Sequence, residues 1–265
     1  MRDLGILEEI WNGLDEGLIL EDLSIFLHWI VTKSRRYAFS HLFQGMPDPD
    51  PRPHRETCLK GLLGKPVRKI VPELLGSGDT LRESTGISCL NSALPVPEDA
   101  VEGNAVEPFL ERARRMKTCF IGHFPDADRW RREGYPVDVI ELFPEPGDIH
   151  WNDSHAALAA AELVFITGLT LTNGTFPEVI RRTPNARHRV LMGPTVPLSP
   201  VFFAHGIDLV GSSVILDIRR ALDWCRWGAG SCIFEPEGVI RRVNLFRDPG
   251  LREAVTGGEA SRKAV

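Results

Sequence analysis

Residues 163–182 read LVFITGLTLTNGTFPEVIRR. A short apolar run, Leu163 to Thr167, stops at Gly168. Thr170, Thr172, Asn173 and Thr175 then bring four hydroxyl or amide side chains, and from Thr175 to Arg182 the apolar positions take helical spacing. Strand, polar loop and helix in that order make one unit of a parallel sheet, because a strand covered on both faces reads as a continuous apolar run. The unit recurs. Strands are expected over 118–124, 137–142, 163–167, 189–192 and 208–210, and helices over 126–133, 154–162, 175–182, 199–205 and 217–227. The fold class is therefore α/β, a C-terminal Rossmann-like parallel sheet with helices on both faces.

Upstream the pattern differs. Leu4, Leu7, Ile10, Trp11 and Leu14 lie at helical spacing, with Ile6 off that stripe. Residues 23–31 alternate as one half-buried strand with Leu23, Ile25, Leu27 and Trp29 on a common face. Residues 32–36 turn the chain, and 37–43 return as the second strand of a hairpin. The prolines at 47, 49, 51 and 53 resist regular structure and suggest a surface excursion. Helices follow over 67–75 and 79–94, the second with Asp79 or Thr80 at its N-cap. A small α+β domain over 1–98, a linker over 99–110, a Rossmann-like domain over 111–245 and a flexible tail over 246–265 are the expected organisation.

A hydrophobic share of 43% in 265 residues is enough for one large or two modest cores. A net charge of -5 argues against a nucleic-acid footprint, which needs massed Lys and Arg; the short basic runs at 112–115 and 129–132 read as solvated helix faces. No apolar run reaches the roughly 18 residues of a membrane span, and acidic residues follow Met1 closely. A cytoplasmic location is expected, with no nucleic-acid and no membrane partner. Cysteines at 58, 89, 119, 225 and 232 form no C-x-x-C pair, so free thiols are expected.

Ligands of an open parallel sheet collect at the carboxyl ends of its strands. Those ends are Gly122-His123, Glu141-Leu142, Thr167-Gly168, Gly193-Pro194-Thr195 and Gly211-Ser212-Ser213. Glycines there permit tight turns or close backbone approach to a ligand, and both readings stay open. Thr175 is placed to cap the next helix. There is no G-x-G-x-x-G, no G-K-[ST] and no G-x-S-x-G, so dinucleotide, triphosphate and serine-hydrolase chemistry lack their usual support. Glu141 stands where nucleotide-binding Rossmann domains carry an acid for ribose hydroxyls. His123 is the one histidine directly on a strand end, suited to a general base or a metal ligand. His150 and His155, with Asp148 and Asp153, form the densest metal-ligand-like group, but their spacing does not match H-E-x-x-H.

The strings CFIGHFPDADRW (119–130), VIELFPEPGD (139–148), ELVFITGLTLTNGTFPEVI (162–180), VLMGPTVPLSPVFFAHGIDLVGSSVI (190–215) and GAGSCIF (228–234) together resemble the putative heavy-metal chelation family. LSIFLHWIVTKS (23–34) and TGISCLNSAL (85–94) are similar to the small N-terminal domain that accompanies it. The Pro-rich stretch 46–55 departs from that pattern. The resemblance implies an enolase-N-terminal-like domain before the Rossmann-like one, a cleft between the two, and metal or metal-chelate handling linked to metal homeostasis or metallocofactor biosynthesis. Carried onto this chain, its positions are Asn91, Gly122, His123, Glu141, Thr167, Gly168, Thr170, Asn173, Thr175, Gly193, Pro194 and Thr195, with His123 and Glu141 as metal candidates. The expected partner is a small-molecule or metal-chelate ligand, the candidate cofactor a transition metal. Catalytic residues stay unassigned, and a nucleotide- or adenosyl-dependent enzyme or an oligomeric scaffold, including a homo-oligomer, are the alternatives.

Overall fold

The computed structural model describes residues 4–42 and 59–252. The Pro-rich excursion, Cys58 and the tail from residue 253 lie outside them. Helix α1 (Gly5–Asn12) buries Leu7, Ile10 and Trp11 as the spacing requires, and Ile6 as well. The reading of 23–31 as one strand is corrected. The chain forms β1 (Asp22–Ile25) and β2 (Trp29–Lys33), antiparallel, with a tight turn between them closed by Phe26 N–H to the Trp29 carbonyl at 2.8 Å. Leu27 sits in that turn, 62% exposed. The turn expected over 32–36 is shorter, since Thr32 and Lys33 belong to β2, and the chain returns as β3 (Tyr37–His41). Trp29, Ile30 and Val31 are consecutive yet all buried, because β2 is the central strand and is covered on both faces.

Helix α2 (Val67–Leu74) leads into α3 (Thr80–Ala93), which Asp79 caps by accepting Arg82 N–H at 2.8 Å. Residues 83–93 of α3 are buried all round, and Ser88 and Asn91 find partners on β2 and β3. Ser88 and Thr32 hydroxyls bond at 2.9 Å, and Ser40 donates to the Ser84 carbonyl. Val101–Glu102, within the stretch read as a linker, forms β4.

From α4 (Leu110–Ala113) onward the units alternate. They are β5 (Thr118–Ile121), α5 (Pro125–Arg132), β6 (Val137–Glu141), β7 (Ile149–His150), α6 (His155–Ala160), β8 (Leu163–Thr167), α7 (Leu169–Asn173), α8 (Phe176–Arg182), β9 (His188–Met192), α9 (Val201–Ala204), β10 (Leu209–Ile215), α10 (Ile218–Arg226), α11 (Ser231–Phe234) and β11 (Ile240–Phe246). The sheet order is β4-β11-β10-β9-β8-β5-β6-β7. From β7 to β10 every pairing is parallel; β11 and β4 extend that edge antiparallel. Numbered along the chain, the six parallel strands stand as 3-2-1-4-5-6, the Rossmann order.

Three further corrections follow. The polar loop after β8 contains a one-turn helix, α7. Gly211-Ser212-Ser213 is not a strand end, since β10 continues to Ile215 against β11. The edge strand β7 and the antiparallel strand β11 have no counterpart among the expected strands. One apolar cluster joins α1, α2 and α3 to α6, α8 and α9; a second packs Phe109, Trp130 and Phe165 on the opposite face; a third fastens Trp29 and Phe39 to Cys225 and Phe234.

Candidate functional site

The strand order reverses at β5, which has β6 on one side and β8 on the other. After β5 the chain crosses to the face that holds α5; after β8 it crosses to the face that holds α7 and α8. The crevice left between those exits is where such sheets bind ligands. A recess of about 50 Å³ lies there, and Gly122, Glu141, Thr167, Thr170, Asn173 and Thr175 line it. Six of the twelve expected positions thus meet. Trp151, which no motif had marked, forms another wall; Arg182 lies over its ring at 4.4 Å and pairs with Glu178.

Gly122 is required by geometry. Its φ of 99° is left-handed, and an added Cβ would stand 2.9 Å from Thr167. The turn it makes aims His123 N–H at Glu141 Oε1, 2.6 Å away, while Leu142 N–H reaches Oε2 at 3.1 Å. Glu141 is thereby fixed with lone pairs to spare. Burial raises its pKa above the ordinary value, and the two backbone donors offset only part of that.

Around the recess, Thr170 donates to the Thr167 carbonyl at 2.7 Å. Thr175 occupies the N-cap position of α8 but makes no side-chain cap: its hydroxyl donates to Asn173 Oδ1 at 2.7 Å, and its N–H reaches the same oxygen at 3.0 Å. The expected cap is corrected: the Thr175 backbone is helical, with φ of -84° and ψ of -10°, instead of the extended form from which an N-cap oxygen accepts a backbone N–H. What Asn173 can still offer a ligand is its amide N–H₂.

The remaining positions serve elsewhere. Gly168 lets β8 end against the 195–196 turn, since a Cβ there would meet Val196 at 2.7 Å. Asn91 donates to the carbonyls of Phe39 and Thr195, and Thr195 Oγ1 accepts His41 N–H at 3.0 Å. These two residues fasten the N-terminal elements to the rim. Gly193 and Pro194 line a larger cavity of about 540 Å³ on the α5 face. Both the recess and this cavity are lined only by residues from Gly103 onward, not by the N-terminal elements.

His123 turns its ring away from Glu141. Nδ1 lies 3.0 Å from Asp148 Oδ2 and Nε2 2.9 Å from Asp128 Oδ2, and Arg131 bonds the other Asp148 oxygen at 2.8 Å. Burial alone would lower the imidazole pKa, but the hydrogen bonds and charges of Asp128 and Asp148 outweigh it and raise the pKa. The two carboxylates thus favour the imidazolium form, in which both ring nitrogens donate. Asp148, its side chain fully enclosed, is itself lowered: burial pushes it up, and Arg131 and His123 pull it further down. The Asp148 partner was visible in the sequence only as part of the His150 group. His150 in fact accepts Asn152 N–H in a local turn.

Comparison with known proteins assigns the chain. The family model described as "Putative heavy-metal chelation", DUF364, matches residues 104–244, more than half of the sequence. The chain belongs to this family. A curated relative from Methanocaldococcus jannaschii, the uncharacterized protein MJ0500, is 28% identical over 167 residues, which cover 60% of this chain and 64% of that relative. Two crystal structures of DUF364 proteins of unknown function share the fold. One, from Desulfitobacterium hafniense, has a TM-score of 0.77 at 22% identity and covers 92% of this chain and 98% of its own. The other, from Pyrococcus horikoshii, has 0.71 at 17%, covering 92% and 99%. No helix among the described residues is long and apolar enough to cross a membrane.

The description of DUF364 raises the question of a metal. Among the described residues no three His, Cys, Asp or Glu side chains converge as ligands. Both nitrogens of the His123 ring are engaged by Asp128 and Asp148, and only its backbone N–H meets Glu141, so His123 and Glu141 do not converge as a metal pair. Glu141 alone fits, as a single oxygen donor facing the recess.

Proposed function

We propose that this DUF364 protein binds the metal complex of a small chelating molecule at the carboxyl rim of its parallel sheet, over the recess between β5 and β8. Glu141 carries the reading: it is the one charged side chain lining a recess whose other polar members are threonines and an asparagine. A single carboxylate is too little for a bare heavy-metal ion, which takes four or more ligands. It suffices for one open position on a metal whose other donors belong to a chelator. The recess, at about 50 Å³, takes one functional group, so the body of the chelator stands outside it. The Asn173 amide and the oxygens of Thr167 and Thr175 orient that group.

Thermal unfolding of untagged protein tests this. Nickel, cobalt or zinc offered as citrate or nitrilotriacetate complexes should raise the midpoint, the free ions should not, and Glu141→Gln should abolish the shift. Equal stabilisation by free ions in both proteins overturns the reading.

The Rossmann order and the acid ending the second strand favour one further reading, a nucleoside-bearing ligand whose ribose hydroxyls donate to Glu141. Adenosine should then stabilise the wild type and not Glu141→Gln; no shift in either removes it.

A further inference from the structure

The cavity of about 540 Å³ on the α5 face lies within the range that holds small organic molecules. It exists because of the edge that the parallel units do not supply: residues 103–107, α11 and β11 close it against the end of β9 and the middle of β10. Gly193, with φ of 125°, lines it without a side chain, and Phe124, Met192 and Ile240 give apolar walls. Ser213 and Ser231 bring hydroxyls with no hydrogen-bond partner among the described residues. The carboxylates of the lining are Glu107, Asp126 and Glu235 against one cation, Arg242; Glu235 pairs with Arg242 at 2.5 Å and Asp126 with Arg129, outside the lining, at 2.9 Å, so acids still outnumber cations. An anion finds no uncommitted cation there, whereas a neutral or cationic molecule meets apolar walls, hydroxyls and a carboxylate rim.

We propose that this cavity is a second small-molecule site, separate from the Glu141 recess, for a ring-bearing organic compound that is neutral or positively charged. Gly122 and Phe124 form the partition, since an added Cβ on Gly122 would meet Thr167 of the recess and Phe124 of the cavity wall, at 2.9 and 3.5 Å. The inference does not rest on the chelate reading.

Saturation-transfer NMR with benzamide, benzylamine and benzoate as matched neutral, cationic and anionic probes tests it. Benzamide and benzylamine should bind, and benzoate should bind roughly tenfold more weakly than benzylamine. Two blocked forms should lose the signals: Ser213→Trp, and Cys58→Ser protein capped at Cys232 with N-ethylmaleimide. Cys232 is exposed and lines the cavity, while burial pushes the thiols of Cys89, Cys119 and Cys225 up to about 12 and out of competition. Glu141→Gln should leave the signals unchanged. Absence of binding by every probe, benzoate binding equal to benzylamine, signals that survive both blocks, or loss in Glu141→Gln would each overturn the proposal.

Discussion

Gly122 and His123 do two different jobs one residue apart. The left-handed turn at Gly122 brings the His123 N–H onto Glu141, and the His123 ring closes a separate chain of charge through Asp128, Asp148 and Arg131. Gly122→Ala adds a Cβ that both the backbone and Thr167 oppose, and should cost about 2–4 kcal/mol in urea denaturation. A cost below about 0.5 kcal/mol would mean that the turn relaxes freely. The His123 ring predicts a pH effect with a defined sign. Its folded pKa lies above 6.5, so protonation favours the fold; the contribution is complete below the unfolded value and is lost as pH rises through the folded one. Stability measured from about pH 5 to about pH 9 should therefore fall more steeply with rising pH in wild type than in His123→Gln, and parallel curves would refute the pairing. At this scale the sequence marked Gly122, Glu141 and Asn173 as site residues because strand ends are where ligands gather. It could not show that the His123 ring faces away, since that depends on Asp148, which lies 25 residues on in a loop without periodicity.

At the scale of elements, what could be read follows from how many faces each one buries. Strand β8 is covered on both sides and stands where its apolar run placed it, and α3 begins at the Asp79 cap. Removing that cap with Asp79→Ala should lower stability by about 1 kcal/mol, measured by urea denaturation; no loss would show that the side chains beyond it hold the helix start alone. The β1–β2 turn was obscured because the buried residues of β2 merge with Ile25 and Leu27 into an apparent single strand. Helix α7 is only one turn long, and its Thr-Leu-Thr alternation imitates a loop after a strand. Strand β11 pairs antiparallel with β10 and β4, outside the parallel strand-helix repeat that revealed the rest of the sheet, and that repeat passes over it together with most of the larger cavity.

Across the whole molecule, one apolar cluster runs without interruption from α1, α2 and α3 to α6, α8 and α9. The N-terminal elements and the parallel sheet should accordingly unfold together: urea transitions followed by far-ultraviolet dichroism and by tryptophan fluorescence should coincide, and two separated transitions would contradict a shared core. The same continuity lets Asn91 and Thr195 set the rim from the N-terminal side without touching the recess. We propose ligand chemistry at that rim because the Rossmann order leaves its crevice there and Glu141 is, among the described residues, the one charged side chain lining the recess; no metal-ligand cluster stands among those residues. The most direct measurement is isothermal titration of untagged protein with nickel nitrilotriacetate beside free nickel. The account predicts saturable one-to-one binding of the complex, none of the free ion, and loss of the former in Glu141→Gln. Tight binding of the free ion that survives Glu141→Gln would contradict it.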